Sequence, residues 1–312
     1  VTRLRSLTRS WTLLALIAGV AAAVLLILWR PTVLVYGIQK AGLYAAIALP
    51  MALILGIVGI INLSHGEFMM VGAYLAYWIS VSMGADPLLT MIPVVVAMAG
   101  IGILTFLVVI RPVLGAPELN QLILTFGLAM VLSQLANLLW TSQPRKLSVS
   151  YASASATVGA VSFGTFDFLY TGAAILILVG LLLFLHRTRA GRVAIAVGQN
   201  PRGARLVGIN VRRTYLVIFS ISIALVGVMG ALFVTRSSIF PLVGGSFTMK
   251  SFCLIAMAGV GNLAGILWCS LGLGLAESLI LSFRGYSGWA DIVFFALIII
   301  VIVMRSYRRR LA

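Results

Sequence analysis

Side chains able to move protons, hold metals or attack a bond are scarce in this chain of 312 residues. The acids are Glu67, Asp86, Glu118, Asp167, Glu277 and Asp291, the histidines His65 and His186, and the cysteines Cys253 and Cys269. The acids are scattered, so no close carboxylate pair offers a general acid and base. His65-x-Glu67 supplies two ligands where a zinc site takes three or four. Ser64 and His65 are adjacent but have no acidic orienter beyond Glu67, which argues against a membrane hydrolase. Both cysteines sit in apolar runs, so buried thiols are expected and a disulfide framework is not. The segment Gly244-x4-Met249-Lys250-Ser251 lacks the second glycine of a phosphate loop and has no soluble α/β unit around it. No catalytic residue and no metal site is expected, and ATP, if used, must be hydrolysed by a partner.

Two stretches are richer. In Gly59-Ile-Ile-Asn62-Leu63-Ser64-His65-Gly66-Glu67 a polar cluster interrupts an apolar hairpin. Polar groups at membrane depth are costly and usually face a cavity or a partner. One reading makes Asn62, Ser64, His65, Gly66 and Glu67 a broken helix lining a substrate path or its gate, with Pro50 and Gly56 kinking the helix before it. The other makes the stretch a short cytoplasmic turn in which Asn62 or Ser64 caps the next helix. The second stretch runs through Gln199-Asn200-Pro201-Arg202-Gly203-Ala204-Arg205-Leu206-Val207-Gly208. Asn200 can cap a helix that has Pro201 at its first position and stops at Gly208. That helix would put Arg202 and Arg205 on one face, a docking element rather than a plain solvated loop. His186, beside this basic loop, is expected to sit at a helix end.

The elements that must position these residues are membrane helices. Hydrophobic residues are 62% of the chain and charged residues 9%, and mean hydropathy is +1.16. A soluble protein of this length could not hide so much apolar surface. Apolar runs fall at about 11–29, 41–61, 67–83, 88–110, 119–140, 171–186, 214–235, 241–261, 265–282 and 289–304. A crossing needs about 20 apolar residues, so eight to ten passes are expected, with 241–261 and 265–282 as half-spans or a helical hairpin. The fold class is all-α and polytopic, with broken or re-entrant segments, in a single transmembrane domain over 1–312. Segments of alternating hydropathy, the mark of a membrane β-barrel, are missing.

The formal charge of +16 reads as loop decoration rather than nucleic-acid binding in a chain of this solvent class. With the N-terminus inside and ten crossings, Arg3, Arg5, Arg9, Arg111, the seven arginines of 187–213 and four in the tail share the cytoplasmic side. Arg30, Lys40, Arg145, Lys146, Arg236, Lys250 and Arg284 lie elsewhere. This bias places both termini inside, 187–213 inside and the Ser/Ala/Thr-rich 141–170 outside. A repeat at an offset of 200 relates Gly59-x-x-Asn62-Leu63 to Gly259-x-x-Asn262-Leu263.

Asn62-Leu-Ser-His-Gly-Glu67 followed by Met70-x-Gly72-Ala73-Tyr74 resembles the permeases of bacterial branched-chain amino acid ABC importers. The loop from Gln199 to Val211 is similar to their cytoplasmic coupling loop, and Met257 to Gly265 resembles their Gly-rich segment, which brings Asn262 into the substrate-path set. The likeness covers roughly residues 40–305. Leu63 and Ser64 depart from the commoner residues, and urea-importer permeases share His-Gly-Glu. The resemblance implies a permease in a bacterial inner membrane with no cofactor of its own. It also implies a second permease chain (a copy or a paralogue), a periplasmic binding protein, and two cytoplasmic ATPase subunits that bind ATP and Mg. In it Asn200, Pro201, Arg202, Arg205, Leu206 and Gly208 would meet the ATPase. The alternatives are a urea or short-amide importer, or an ion-coupled secondary transporter, for which Glu277 is the acid deepest in an apolar run.

Overall fold

The computed structural model describes residues 30–159 and 161–283, with isolated positions at 288, 289, 292, 294–296, 299 and 303. The expected first span at 11–29 and more than half of the run at 289–304 lie outside the described residues, as do the basic residues of both termini.

The first helix begins earlier than hydropathy indicates. Pro31 opens α1 (Pro31–Leu53), where a missing N–H costs nothing. Arg30 and Lys40 break the apolar pattern, so the sequence reading put 30–40 in an outer loop. Lys40 is in fact a helical residue of α1. Pro50 lies inside the helix and cannot donate to the preceding turn. The ladder then widens into a π segment, Ile54–Val58, which contains Gly56. Gly59, at φ 75°, ends it in the left-handed conformation. Residues 60–64 are non-helical, and α2 (His65–Met83) starts a new helix.

Beyond it come α3 (Met91–Thr105), extended by tighter and wider turns to Val113, and α4 (Glu118–Trp140). A β-hairpin, β1 (Ser155–Val158) against β2 (Val161–Gly164), sits before α5 (Phe168–Arg187). The short helices α6 (Arg189–Gln199) and α7 (Pro201–Leu206) precede α8 (Val211–Arg236), α9 (Val243–Ala258) and α10 (Leu263–Leu281).

Among the described residues six helical segments are long and apolar enough to cross a membrane: Pro31–Val58, Met91–Val113, Glu118–Trp140, Phe168–Arg187, Val211–Arg236 and Leu263–Leu281. The protein is an all-α polytopic membrane protein. The expected run at 67–83 is the buried helix α2, which starts inside the bundle, and 241–261 is the shorter α9. The hairpin form expected of α9 and α10 is present, joined at Gly259–Asn262.

Most of α1 and α8 is buried, while α3, α4 and α5 present Ile92, Val96, Ile123, Leu138 and Leu176 outward. An outward apolar face suits lipid rather than water. α1 packs on α10, α5 and α9, and α8 on α2 and α3. Small residues permit these approaches, as lipid-embedded helices require. Gly72 of α2 lies so close to Gly227 of α8 that a methyl there would stand 2.5 Å from the Gly227 Cα.

The 141–170 segment is ordered by its contacts. The Arg145 and Ile239 backbones exchange hydrogen bonds of 2.9 and 2.8 Å, and Tyr151 donates to Asp86 at 2.8 Å. The hairpin roofs one end of the bundle: Tyr36 donates to the Ser162 carbonyl at 3.0 Å and Gln39 to the Gly164 carbonyl at 2.8 Å.

Candidate functional site: a buried break between two polar ends

The polar break is neither a solvent-exposed turn nor a simple cap. Asn62, Ser64, His65 and Glu67 are all buried, His65 completely. Ser64 occupies the position before α2, yet its side chain makes no capping bond. Instead Asn62 Oδ1 accepts from the Ser64 N–H at 3.2 Å and from Ser64 Oγ at 2.7 Å. Thr125 of α4 clamps the same segment, donating to the Ile61 carbonyl at 2.9 Å and accepting from the Leu63 N–H at 3.3 Å.

His65 Nε2 bonds the Ile47 carbonyl at 2.9 Å. A carbonyl only accepts, so this nitrogen carries the proton and Nδ1 is the acceptor. Among the described residues, Asn62 Nδ2 and His65 Nδ1 have no hydrogen-bond partner. Glu67 sits in the first turn of α2, where the helix dipole favours a carboxylate. Thr248 of α9 shares its proton between Glu67 Oε2 (3.4 Å) and the Gly244 carbonyl (3.3 Å), and accepts from the Gly66 N–H at 2.8 Å. Gly66 is required here: a methyl would strike the Gly244 carbonyl. The break thus joins α1, α2, α4 and α9.

Its depth follows from α1. From Lys40 to Val58 this helix advances roughly 27 Å at 1.5 Å per residue, close to the thickness of a bilayer core. Ile47, the partner of His65, lies roughly 10 Å along that path. The chain therefore runs down α1, turns at Gly59 and climbs back before α2 begins, a re-entrant course that requires full internal satisfaction in lipid.

At the Val58 end the chain builds three N-caps in succession. Thr188 Oγ1 accepts from the Gly191 N–H at 2.9 Å, Asn200 Oδ1 from Gly203 at 2.9 Å and Asn210 Oδ1 from Arg213 at 3.0 Å. The expected helix from Pro201 is α7, and Gly208, at φ 83°, stops it. His186 closes the last turn of α5, its Nδ1 3.0 Å from the Leu182 carbonyl. Ala204 is buried, whereas Leu206 is 89% and Val207 76% exposed. A cavity of about 560 Å³ opens beside α7, lined by Arg111, Arg202, Arg205, Arg212, Gln199 and Tyr215 among others. The fold thus gathers arginines from distant parts of the chain at one end.

At the opposite end is a cluster that sequence reasoning missed. Glu277 of α10 is held by Lys40 at 2.5 Å and by the Tyr44 hydroxyl at 2.5 Å. Lys250 lies 3.7 Å from Glu277 and donates to Tyr44 at 3.1 Å. Hydropathy did mark Glu277, but Lys40 was left outside the run 41–61, and Lys250, inside the run 241–261, was counted only as a basic residue off the cytoplasmic side. The available signal was that each of the three interrupts an apolar run. Arg236 and Asp167 pair nearby at 3.2 Å.

Neither the arginine-lined cavity nor the cavity at the lysine end is lined by Asn62, Ser64, His65 or Glu67. Asn262 stands apart from this cluster. It occupies the exposed turn between α9 and α10 and caps α10, accepting from the Gly265 N–H at 2.9 Å. Its turn packs against Gly56 of the π segment. The offset-200 match has a local basis: Gly59 and Gly259 each end a helix at positive φ, and an asparagine follows three residues on. Cys253 and Cys269 are half-buried, less enclosed than expected.

A bundle with a sealed polar break between two polar ends is the anatomy of a membrane transport protein. Residues 33–302 match the family described as branched-chain amino acid transport system, permease component, and the chain belongs to it. It is 28% identical over 285 residues to the high-affinity branched-chain amino acid transport system permease protein BraD of Pseudomonas aeruginosa, covering 87% of this chain and 92% of the relative. Identity to LivH of Escherichia coli is 28% over 281 residues, covering 86% and 91%. The probable LivH of Methanocaldococcus jannaschii is 27% identical over 248 residues, covering 78% of each. The chain is a multi-pass membrane permease component, a transport subunit.

Proposed function

We propose that this permease forms half of the membrane path of an ATP-driven importer carrying leucine, isoleucine and valine across a bacterial inner membrane. The observation that carries the reading is α7: a capped, stopped helix that holds Leu206 and Val207 in the open. Exposed apolar side chains on a rigid element beside an arginine-lined cavity fit an interface with acidic groups at its rim. Two cytoplasmic ATPase subunits, holding ATP and Mg, would seat there. A second permease chain and a periplasmic binding protein would complete the assembly. The excess of arginine at the α7 end makes that end cytoplasmic, with both termini on the same side.

The polar break acts as a hinge or gate rather than a binding surface. Its groups are buried within one chain, and α1, α2, α4 and α9 all meet there. The ion-coupled alternative is disfavoured because Glu277 is engaged by Lys40, Tyr44 and Lys250. The names of the relatives favour branched-chain amino acids over urea. The test is uptake into proteoliposomes that hold the permease with its genomic-neighbour ATPases and binding protein. ATP-dependent accumulation of labelled leucine, isoleucine and valine is expected. Accumulation of urea alone, or accumulation driven by an ion gradient without ATP, would overturn the reading.

A further inference from the structure

Under the β-hairpin lies a cavity of about 330 Å³ whose lining includes Lys40, Lys250, Asp167, Gln39, Leu43 and Phe247. Charged groups of both signs share this one chamber at the edge of an apolar bundle. Each is backed by an opposite charge that does not line it. Glu277 stands behind Lys40 and Lys250, with side chains 31% and 12% exposed against 7% for Glu277. Arg236 holds Asp167 from outside the lining, its side chain 35% exposed against 18%. Lys250 is fixed further by the rings of Tyr44 and Phe294, 4.9 and 5.0 Å from its ammonium. Gln39 ties the floor to the roof through the Gly164 carbonyl.

We infer that this cavity is an amino-acid site, in which Lys40 and Lys250 take the α-carboxylate, Asp167 takes the α-ammonium, and Leu43 and Phe247 flank the side chain. The inference rests on the importer reading and adds to it a place and a chemistry of recognition. Lys40 and Lys250 share the single carboxylate of Glu277, so the lysine wall keeps one positive charge in excess, and a zwitterion can set its carboxylate there while its ammonium meets Asp167. A neutral amide could hydrogen-bond to either wall but would bring no charge to it. A molecule bearing only one of the two charges would satisfy one wall and leave the other unmatched. Because every charge in the chamber already has a protein partner, the ligand competes for contacts instead of completing empty ones. Binding is then weak and release easy, as a transport path needs. At roughly 27 Å from Val58 along α1, the chamber opens at the end of the bundle remote from α7.

The experiment uses the assembled importer with Cys253→Ser and Cys269→Ser, and with Ser246→Cys, a lining position, as a target for a small methanethiosulfonate reagent. L-Leucine should slow labelling by about threefold at about twice its Kd, because the unoccupied fraction falls as 1/(1 + [L]/Kd). Isoamylamine, which lacks the carboxylate, and 4-methylpentanoate, which lacks the ammonium, should protect far less. Lys40→Gln and Asp167→Asn should each abolish protection by leucine. Equal protection by all three compounds would overturn the inference. So would protection by the binding protein alone with none by free amino acid, which would make the chamber a docking surface. ATP-driven uptake of leucine is measured on the same sample. Normal uptake with no protection removes this inference alone. Absent uptake of every branched-chain amino acid removes the importer reading, while protection still reports on the chamber.

Discussion

Glu277 carries more of the fold than its isolation in the sequence suggests, because one buried carboxylate is shared by two ammonium groups and a phenol. Removing one partner of a buried ion pair typically costs about 3–5 kcal/mol. Lys40 is part-exposed and water screens it, so Glu277→Gln is expected to cost roughly half of that, about 2 kcal/mol. Glu277→Asp, which keeps the charge, should cost less. Thermal unfolding of the purified permease in detergent gives the comparison, and equal melting of Glu277→Gln and wild type would show that the cluster contributes nothing. Glu67 is a different case. Its only side-chain partner among the described residues is Thr248, at a long 3.4 Å, so Glu67→Gln keeps the volume and removes the charge beside the start of α2. Normal membrane insertion with reduced uptake is expected. Uptake at the wild-type level in both Glu67→Gln and His65→Ala would leave the break a purely structural turn. Gly66→Ala is expected to be harsher, because the added methyl meets backbone rather than a flexible side chain. Overpacking of this kind costs about 1–3 kcal/mol, and it should appear as a lower yield of folded protein.

At the scale of elements, the run α6–α7–α8 is built from local instructions, three caps and a left-handed glycine, and this is why α7 was legible. Asn200, Pro201 and Gly208 act within four residues of themselves, so no tertiary knowledge was needed. The functional weight of α7 lies in Leu206, which is almost wholly exposed among the described residues. Leu206→Asp would place a charge in a partner's groove, and truncations of such anchors often cost ~1–3 kcal/mol of binding. Loss of ATPase co-purification and of substrate-stimulated ATP hydrolysis is expected, with membrane levels unchanged. The Arg202→Glu/Arg205→Glu double variant should weaken the same assembly in a salt-dependent way. Retained assembly in both would move the docking site elsewhere. Asn200→Ala removes a cap worth about 1 kcal/mol and should loosen coupling without abolishing it. The re-entrant segment at 59–64 was legible only as an anomaly. Its polar residues stood out, but whether they cap, line or hinge depended on Thr125, Thr248 and Ile47, and the sequence says nothing of those contacts.

For the whole molecule the decisive question is sidedness. α5 is a single 20-residue helix with the hairpin segment before it and α6 after it. Its ends therefore lie on opposite faces of a bilayer. In the Cys-free background, cysteines at Ser150 and at Leu206, both exposed, should label from opposite sides of the membrane. Ser150 should be open to the periplasm and Leu206 to the cytoplasm. Periplasmic labelling at 206 would reverse the topology and with it the assignment of the ATPase end.

The sequence alone determined the class, because a chain this apolar has only one solvent in which to fold. It also marked the six long apolar helices among the described residues, up to about ten residues at the start of α1, and the Asn200 cap of α7. These are properties of composition and of neighbours within one helical turn. Tertiary structure decided that Lys40 is helical and bonded to a carboxylate 237 positions away. It decided that Asn262 is occupied as a cap, and that the serine-rich segment after α4 is a roof. It also set the polar break roughly 10 Å from Lys40 along α1 rather than at a surface. Each of these depends on which helices pack side by side, and in lipid that choice is made by small residues and polar contacts spread thinly over many elements, a pattern that no single stretch of sequence displays.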